Sequence, residues 1–192
     1  AYGKPIYEDI IYKKLIDVKE DGSFRLNQKY FDYITGNKMI NSAFEKLFQQ
    51  KRRDPNKDKI LQFHMDVAAS IQKVTEDILI KICKSIQKEY KLMNLCLAGG
   101  VALNCVANGK ILKEKIFDKI WVQPAAGDAG GALGAAIGYW YDTLNNSREV
   151  NEFDKMQGSY LGPEYNQYFI ENELKKSGAI FEKFDDDTIV EK

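Results

Sequence analysis

One apolar stripe runs along the middle of the chain and predicts its longest helix. Between residues 58 and 90, large apolar side chains recur every three or four positions, and the other faces carry Lys, Asp, Glu and Gln. The stripe consists of Ile60, Phe63, Val67, Ile71, Val74, Ile78, Ile82 and Ile86. This spacing places the apolar side chains on one face of an α-helix about 50 Å long. We expect the helix to lie across a sheet.

Two segments downstream follow a different pattern, in which a short apolar run ends at a glycine-containing loop before a helix-like segment. The first runs from Leu95 to Asn104 and the second from Lys119 to Ala136. Apolar runs of this length, bounded by Gly and Pro, are typical of strands buried on both faces. Two such units in tandem predict parallel strands joined by right-handed crossovers. Both loops then lie at the carboxyl ends of strands, where open α/β sheets bind ligands.

The flanking regions predict smaller elements. Residues 6–26 carry strand-favouring side chains on both sides of Asp21-Gly22, which indicates a β-hairpin. We also expect helices at residues 27–33, 42–50, 130–144 and 165–177, a solvated loop at 51–59 and a strand at 179–184. A domain boundary is expected near residue 148, before a more polar stretch over residues 149–192.

The first glycine loop suits a nucleotide. Gly99 and Gly100 have no Cβ, so a phosphate or a ribose can approach their backbone closely. A helix that begins near Val101 offers unpaired N–H groups and the positive end of its dipole to an anion. Asn104 lies in the first turn of that predicted helix, and its amide both donates and accepts hydrogen bonds.

Asp128 is the lone carboxylate of the second loop, and glycines flank it. An acid in this position suits a metal ligand or a contact to ribose hydroxyls. It also suits a simple helix cap, and the residues alone leave these alternatives open.

The composition fits a globular protein. Lys+Arg and Asp+Glu number 28 each, so no nucleic-acid-binding surface is indicated. No apolar run approaches membrane-spanning length, and the N-terminus does not resemble a signal peptide. Cys83, Cys96 and Cys105, without a Cys-x-x-Cys motif, are expected to be small buried side chains in a protein of the reducing cytoplasm. His64, the single histidine, lacks partners at ligand spacing and makes a poor metal site.

Both loop motifs closely resemble those of the carbamoyltransferases of nodulation-factor and antibiotic biosynthesis. The resemblance is carried by Asn94-Leu-Cys-Leu-Ala-Gly-Gly-Val-Ala-Leu-Asn-Cys-Val-Ala-Asn-Gly-Lys110 and by Gln123-Pro-Ala-Ala-Gly-Asp-Ala-Gly-Gly-Ala-Leu-Gly-Ala-Ala136. Further similarity lies in Ala1-Tyr-Gly-Lys-Pro5, Arg25-Leu-Asn, Tyr30-Phe-Asp-Tyr33, Ala68-Ala-Ser-Ile-Gln72 with Glu76, and Leu161-Gly-Pro-Glu164. The Gly-Gly-Val-Ala-x-Asn element is also similar to the tRNA threonylcarbamoyl-adenosine enzymes, which share the actin-like ATPase fold.

The resemblance implies an α/β fold that is part of an actin-like ATPase (ribonuclease H-like) domain, with a mixed sheet flanked by helices. Residues 1–148 would form the C-terminal half of a carbamoyl-transfer domain, and residues 149–192 would lead toward a further C-terminal domain. The chain begins without Met, and we interpret it as a piece of a longer protein.

The implied activity is O-carbamoyl transfer in two steps that use different domains. Carbamoyl phosphate and ATP give carbamoyl-adenylate, and the actin-like domain passes the carbamoyl group to a hydroxyl of a sugar or secondary metabolite. By resemblance, Gly99, Gly100 and Asn104 would contact the adenylate. The same nucleotide site would include Val101, Gly127, Gly130 and Gly131. Asp128, as the catalytic residue, would complete a divalent metal site, for which iron is a candidate, with histidines from a part of the protein that lies outside this chain.

The implied partners are carbamoyl phosphate, a small-molecule acceptor and the remaining parts of the same protein. We expect this chain alone to fold but not to catalyse, and its exposed apolar surface to favour homo-oligomers. Two alternatives stay open. One is another actin-like enzyme, such as a threonylcarbamoyl-adenosine synthase component or a small-molecule kinase; the other is a non-catalytic nucleotide-binding module.

Overall fold

The computed structural model describes residues 2–150 and 156–189 of an α/β chain. The helices are α1 (Glu8–Ile10), α2 (Ser42–Phe48), α3 (Gln62–Tyr90), α4 (Cys105–Lys113), α5 (Asp128–Gly138) and α6 (Gln167–Lys176). The strands are β1 (Ile16–Val18), β2 (Phe24–Leu26), β3 (Asn94–Leu97) and β4 (Lys119–Val122). Single π-helical turns follow α1 at Ile11–Leu15 and α5 at Tyr139–Thr143, and 3-10 turns lie at Gln28–Tyr30, Gly100–Leu103 and Gln157–Ser159. The chain divides into two compact units, residues 1–146 and residues 147–192.

The long helix α3 organises the core of the first unit, as its apolar stripe predicts. It begins at Gln62 rather than near residue 58 and ends at Tyr90. Val74 and Ile78 pack in one buried cluster with the hairpin region, which contributes Ile11, Leu15, Ile16 and Tyr30. Further along α3, Cys83 packs in a second buried cluster with Ile111 and Phe117. The helix thus joins the N-terminal hairpin to the region of β3, α4 and β4.

The N-terminal segment is fastened to the start of α3 by buried polar groups. The Lys4 N–H donates to Asp66 Oδ1 at 2.7 Å, and the Tyr7 N–H donates to Ser70 Oγ at 3.0 Å. The Lys4 bond, with a second from Gln62, holds the pKa of Asp66 below its usual range. A Cβ on Gly3 would lie 1.9 Å from the Met65 carbonyl oxygen, so only glycine fits there. The opening motif of the chain therefore has a packing role.

The hairpin predicted over residues 6–26 is wrong in its first half. Only Ile16–Val18 and Phe24–Leu26 pair as antiparallel strands, around a turn at Gly22 with φ +86°. Residues 8–15 are helical, because Ile11 and Leu15 are four positions apart and both are buried against α3. The β-branched side chains of this segment favour strand locally, and packing against α3 overrides that preference.

The parallel pair expected for the two loop motifs is present. β3 and β4 are parallel, with Asn94 opposite Lys119 and Leu97 opposite Val122. Their side chains alternate between half-buried and exposed positions, and 46% of Trp121 is exposed. The expectation of burial on both faces is therefore wrong within the described chain, which leaves one face of this sheet uncovered. The parallel and antiparallel pairs also form separate sheets in the described residues.

Among the smaller predictions, some are confirmed and others are wrong. α2, α5 and α6 confirm three of the expected helices, Asn27 caps the 3-10 turn Gln28–Tyr30, and residues 179–184 form no strand. Cys83 is buried, which raises the pKa of its thiol, whereas Cys96 and Cys105 are exposed, contrary to expectation. Among the described residues, no helix has the length and apolarity needed to cross a bilayer.

Candidate functional site

The two glycine loops meet at one cavity beside the carboxyl ends of β3 and β4. The cavity has a volume of about 550 Å³. Six of the predicted site residues line it: Gly99, Gly100, Gly127, Asp128, Gly130 and Gly131. Trp121 of β4 and Ile137 of α5 add apolar surface. Two segments separated by a helix and a strand along the chain thus build one concave surface, as parallel strands permit.

A backbone hydrogen bond ties the two loops together. The Gly99 N–H donates to the Ala126 carbonyl oxygen at 2.8 Å, and the Gly99 carbonyl accepts from the Ala102 N–H at 3.0 Å. Gly99 has φ +100° and ψ 160°, a conformation that side-chain-bearing residues rarely adopt. Gly99 is therefore required by the path of the backbone itself.

The other loop glycines differ in what a side chain would meet. A Cβ on Gly130 would lie 1.9 Å from the carbonyl oxygen of Ala125, so packing within the chain requires this glycine. A Cβ on Gly100, Gly127 or Gly131 would meet no atom of residues 2–150 or 156–189 within 4 Å. These three positions leave open space at the cavity, which a ligand group can occupy close to the backbone.

Asp128 is the first residue of α5 and is exposed at the cavity. The N-cap of α5 is Gly127, and no side chain caps this helix. The geometry therefore does not support the simple-cap alternative, although a carboxylate in the first turn still interacts favourably with the helix dipole. Within residues 2–150 and 156–189, no group of three or more His, Cys, Asp or Glu side chains is placed to hold a metal. Asp128 is thus a single candidate ligand.

Asn104 and Val101 do not line the cavity. Residues Gly100–Leu103 form a 3-10 turn, and α4 begins only at Cys105, so the prediction of a helix from Val101 is corrected. Asn104 is the N-cap of α4, and its Oδ1 accepts from the Ala107 N–H at 3.1 Å. Val101 instead borders an apolar pocket beside Phe24 and Ile71.

A partly buried polar network lies between α3 and α4. Gln72 and Asn104 exchange two side-chain hydrogen bonds, from Gln72 Nε2 to Asn104 Oδ1 at 3.1 Å and from Asn104 Nδ2 to Gln72 Oε1 at 2.9 Å. Gln72 Nε2 also donates to Glu76 Oε1 at 2.8 Å, and Lys110 Nζ donates to Glu76 Oε2. The Glu76 side chain is 4% exposed.

Burial opposes ionisation of Glu76, but the hydrogen bonds from Lys110 and Gln72 outweigh it and hold the Glu76 pKa below its ordinary value. The sequence identified Gln72, Glu76 and Lys110 only as parts of family-like motifs and did not predict that they contact one another. The spacing of four between Gln72 and Glu76 predicts that they share one face of a helix, but it does not predict their partners on α4.

His64 has a structural role at the start of α3. Its Nδ1 accepts a hydrogen bond from the Leu61 N–H at 2.9 Å, which satisfies an N–H group at the helix terminus. Its ring also packs edge-on against Phe63.

Relatives in several organisms are similar to this chain. An uncharacterized protein of Synechocystis, sll1178, is 50% identical over 190 residues, which are 98% of this chain and 31% of the relative. Nodulation protein NolO of Bradyrhizobium diazoefficiens is 36% identical over 71% of this chain and 23% of its own length. Nodulation protein NolNO of Sinorhizobium fredii is 33% identical over 85% of this chain and 22% of its own length. The chain spans less than a third of each of these relatives.

A family-level match covers the region that contains both glycine loops. The model described as "Carbamoyltransferase N-terminus" matches residues 1–137, which include β3, β4, α4 and nearly all of α5. This range covers more than half of the chain. The chain belongs to the carbamoyltransferase family.

Proposed function

We propose that this chain is part of an O-carbamoyltransferase and that the cavity between its glycine loops holds carbamoyl-adenylate during the transfer step. The actin-like ATPase architecture expected from the sequence belongs to the same proposal. The observation that carries it is the meeting of Gly100, Gly127, Gly131 and Asp128 at one cavity beside the ends of two parallel strands.

The cavity suits the adenylate for two reasons. Gly100 and Gly131 leave room for a phosphate or ribose against the backbone, because none of the described residues occupies the space of their missing side chains. The helix α5 begins at the cavity, so its first N–H groups and its positive dipole end favour a bound phosphate. Trp121 and Ile137 supply apolar surface for the remainder of the nucleotide.

The proposed reaction moves one acyl group. The acceptor hydroxyl oxygen bonds to the carbamoyl carbon, the bond between that carbon and the phosphate oxygen breaks, AMP leaves and the hydroxyl proton is released. Negative charge grows on the carbamoyl oxygen and on the leaving phosphate. N–H groups at the start of α5 are suited to stabilise charge on the phosphate.

The residues of the chain fit a shared metal site. Asp128 is a hard oxygen donor, is exposed at the cavity and makes no side-chain cap, so it is free to ligate a divalent cation such as iron. A bound cation would polarise the carbamoyl oxygen. Because the described residues offer one such ligand, further ligands would come from the rest of the full-length protein.

Replacing Asp128 in the full-length protein tests the proposal. We expect Asp128→Asn to lower carbamoyl transfer by at least about 100-fold and to lower the metal content. This loss exceeds the one usual when a residue that only hydrogen-bonds a metal ligand is replaced. The matched control is Asp118→Asn, an exposed carboxylate at the opposite end of β4. The assay supplies carbamoyl phosphate, ATP and a panel of sugars and other polyhydroxylated acceptors.

Normal transfer and metal content in Asp128→Asn would contradict the ligand role. If the wild-type protein transferred no carbamoyl group to any acceptor but still bound adenosine nucleotide, the non-catalytic alternative would replace the proposal. Family membership favours carbamoyl transfer over the kinase and threonylcarbamoyl-adenosine alternatives.

A further inference from the structure

The side chains of Gln72 and Asn104 form a matched pair of amides between α3 and α4. Asn104 Oδ1 accepts from the Gln72 amide at 3.1 Å and from the Ala107 N–H at 3.1 Å, so both of its lone pairs are used. The Asn104 amide nitrogen donates to Gln72 Oε1 at 2.9 Å. The helix cap fixes which end of the Asn104 amide carries the oxygen, and Gln72 presents the complementary ends of its own amide.

Glu76 holds Gln72 in this orientation. Its Oε1 accepts from Gln72 Nε2 at 2.8 Å, so that nitrogen stays turned toward Asn104 and Glu76. Lys110 of α4 bonds the other carboxylate oxygen, and the carboxylate is almost fully buried. A carboxylate in this position accepts only, which excludes the flipped orientation of the Gln72 amide.

The same contacts continue from Asn104 to the first glycine loop. Asn104 directly follows the 3-10 turn Gly100–Leu103, and the Asn108 side chain donates to the Ala102 carbonyl oxygen at 2.7 Å. Ala102 is buried, and its N–H donates to the Gly99 carbonyl at 3.0 Å. Gly99 in turn bonds Ala126 of the second loop. The Asn104 N–H also donates to the Val101 carbonyl oxygen at 3.0 Å, and the Asn108 N–H donates to the Asn104 carbonyl oxygen at 3.0 Å. The backbone of Asn104 and these hydrogen bonds together link α3 to both loops of the cavity.

We propose that Gln72 and Glu76 are positioning residues for the transfer site, which set the position of the Gly99–Gly100 loop by holding Asn104. This inference rests on the proposed function, because it assumes that the cavity between the glycine loops binds the adenylate. Neither residue touches the cavity itself, since neither is part of its lining. Their effect is on the affinity for the adenylate and is transmitted through Asn104.

The test compares Gln72→Met and Asn104→Ser, singly and together, in the full-length protein. Methionine matches the size of glutamine without its hydrogen bonds, and serine caps a helix as well as asparagine but is too short to pair with Gln72. The measured quantity is the KM for supplied carbamoyl-adenylate, with the best acceptor of the panel. Gln87→Met is the control, because Gln87 also lies on α3 but contacts Met93 instead of the network.

We expect Gln72→Met to raise this KM by about tenfold, the effect of losing roughly one net hydrogen bond, and Gln87→Met to leave it unchanged. In the Asn104→Ser background, Gln72→Met should add no further change, because the residue acts through Asn104. The KM for the acceptor should stay constant.

Two results would overturn the inference while leaving the proposed function intact. One is a KM for carbamoyl-adenylate that is the same in Gln72→Met as in the wild-type protein. The other is full additivity of the two substitutions, which would show that Gln72 does not act through Asn104. Absence of transfer in the wild-type protein would instead reject the proposed function itself.

Discussion

Gly130 and Gly131 are neighbours in α5 with opposite constraints. A side chain on Gly130 would collide with the backbone of the preceding loop, whereas a Cβ on Gly131 would meet no atom within 4 Å in the part of the chain that the structure describes. The first glycine is needed to fold the loop, and the second is not. The lack of a side chain at Gly131 is therefore better explained by the approach of a ligand than by packing within this chain.

A pair of alanine substitutions separates the two roles. Gly130→Ala should lower the free energy of unfolding by about 1–3 kcal/mol, the usual cost of overpacking. Gly131→Ala should raise it by about 0.5–1 kcal/mol, because alanine favours the helix interior. Urea unfolding followed by tryptophan fluorescence measures this, since Trp121 and Trp140 both lie in the first unit. Equal changes in the two variants would contradict the distinction.

Residue types were predictable from the sequence, but residue environments were not. The Gly-Gly pairs and the lone Asp128 stood out in the local sequence of the two loops, and the structure brings them to one cavity. The engagement of Asn104 with Gln72 was not predictable, because it joins positions 32 residues apart. The roles of all these residues in binding and catalysis remain predictions.

At the scale of elements, hydrophobic periodicity predicts the correct secondary structure where the local preference of a segment agrees with its packing in the fold. The 3.6-residue stripe of α3 and the short apolar runs of β3 and β4 each matched the observed element. The prediction failed at residues 8–15, where packing of Ile11 and Leu15 against α3 selects a helix. It also failed at residues 179–184, where no partner strand lies in the described chain.

Glu76 of α3 and Lys110 of α4 form an ion pair, which predicts an acid-sensitive contribution to the stability of the fold. The folded-state pKa of Glu76 is depressed, so its ionised form stabilises the fold above the unfolded pKa of about 4.3, and this contribution is lost as pH falls through the folded value. Glu76→Gln should therefore be less stable than wild type at pH 7, with a difference that shrinks below about pH 4.3.

Urea unfolding at pH 7, 4 and 3 measures that difference through tryptophan fluorescence. Glu114→Gln is the control, because Glu114 pairs with Lys84 at the surface, with its side chain 44% exposed, and such pairs contribute little. A stability difference for Glu76→Gln that stays constant across this pH range would contradict the assignment.

At the scale of the whole molecule, the proposal assigns only part of the site to this chain. It spans 22–31% of the three relatives described above, and α5 has no buried residue. Leu133, Ile137 and Trp140 remain exposed on and beyond that helix. The expectations that the isolated chain folds, self-associates and does not transfer carbamoyl groups remain predictions. The local pattern predicts the parallel pair β3–β4 correctly, whereas the larger mixed sheet expected from the resemblance remains a prediction.

Substitution of Gly100 in the full-length protein tests the central claim, that the cavity holds the adenylate. Gly100 lacks a positive φ and has open space at its Cβ, so the fold accommodates valine there while the new side chain occupies the cavity. Gly109→Val, in α4 and equally open, is the control. The measurement is the KM for supplied carbamoyl-adenylate. We predict an increase of at least about tenfold in Gly100→Val and none in Gly109→Val; an unchanged KM in a folded Gly100→Val protein would contradict the account.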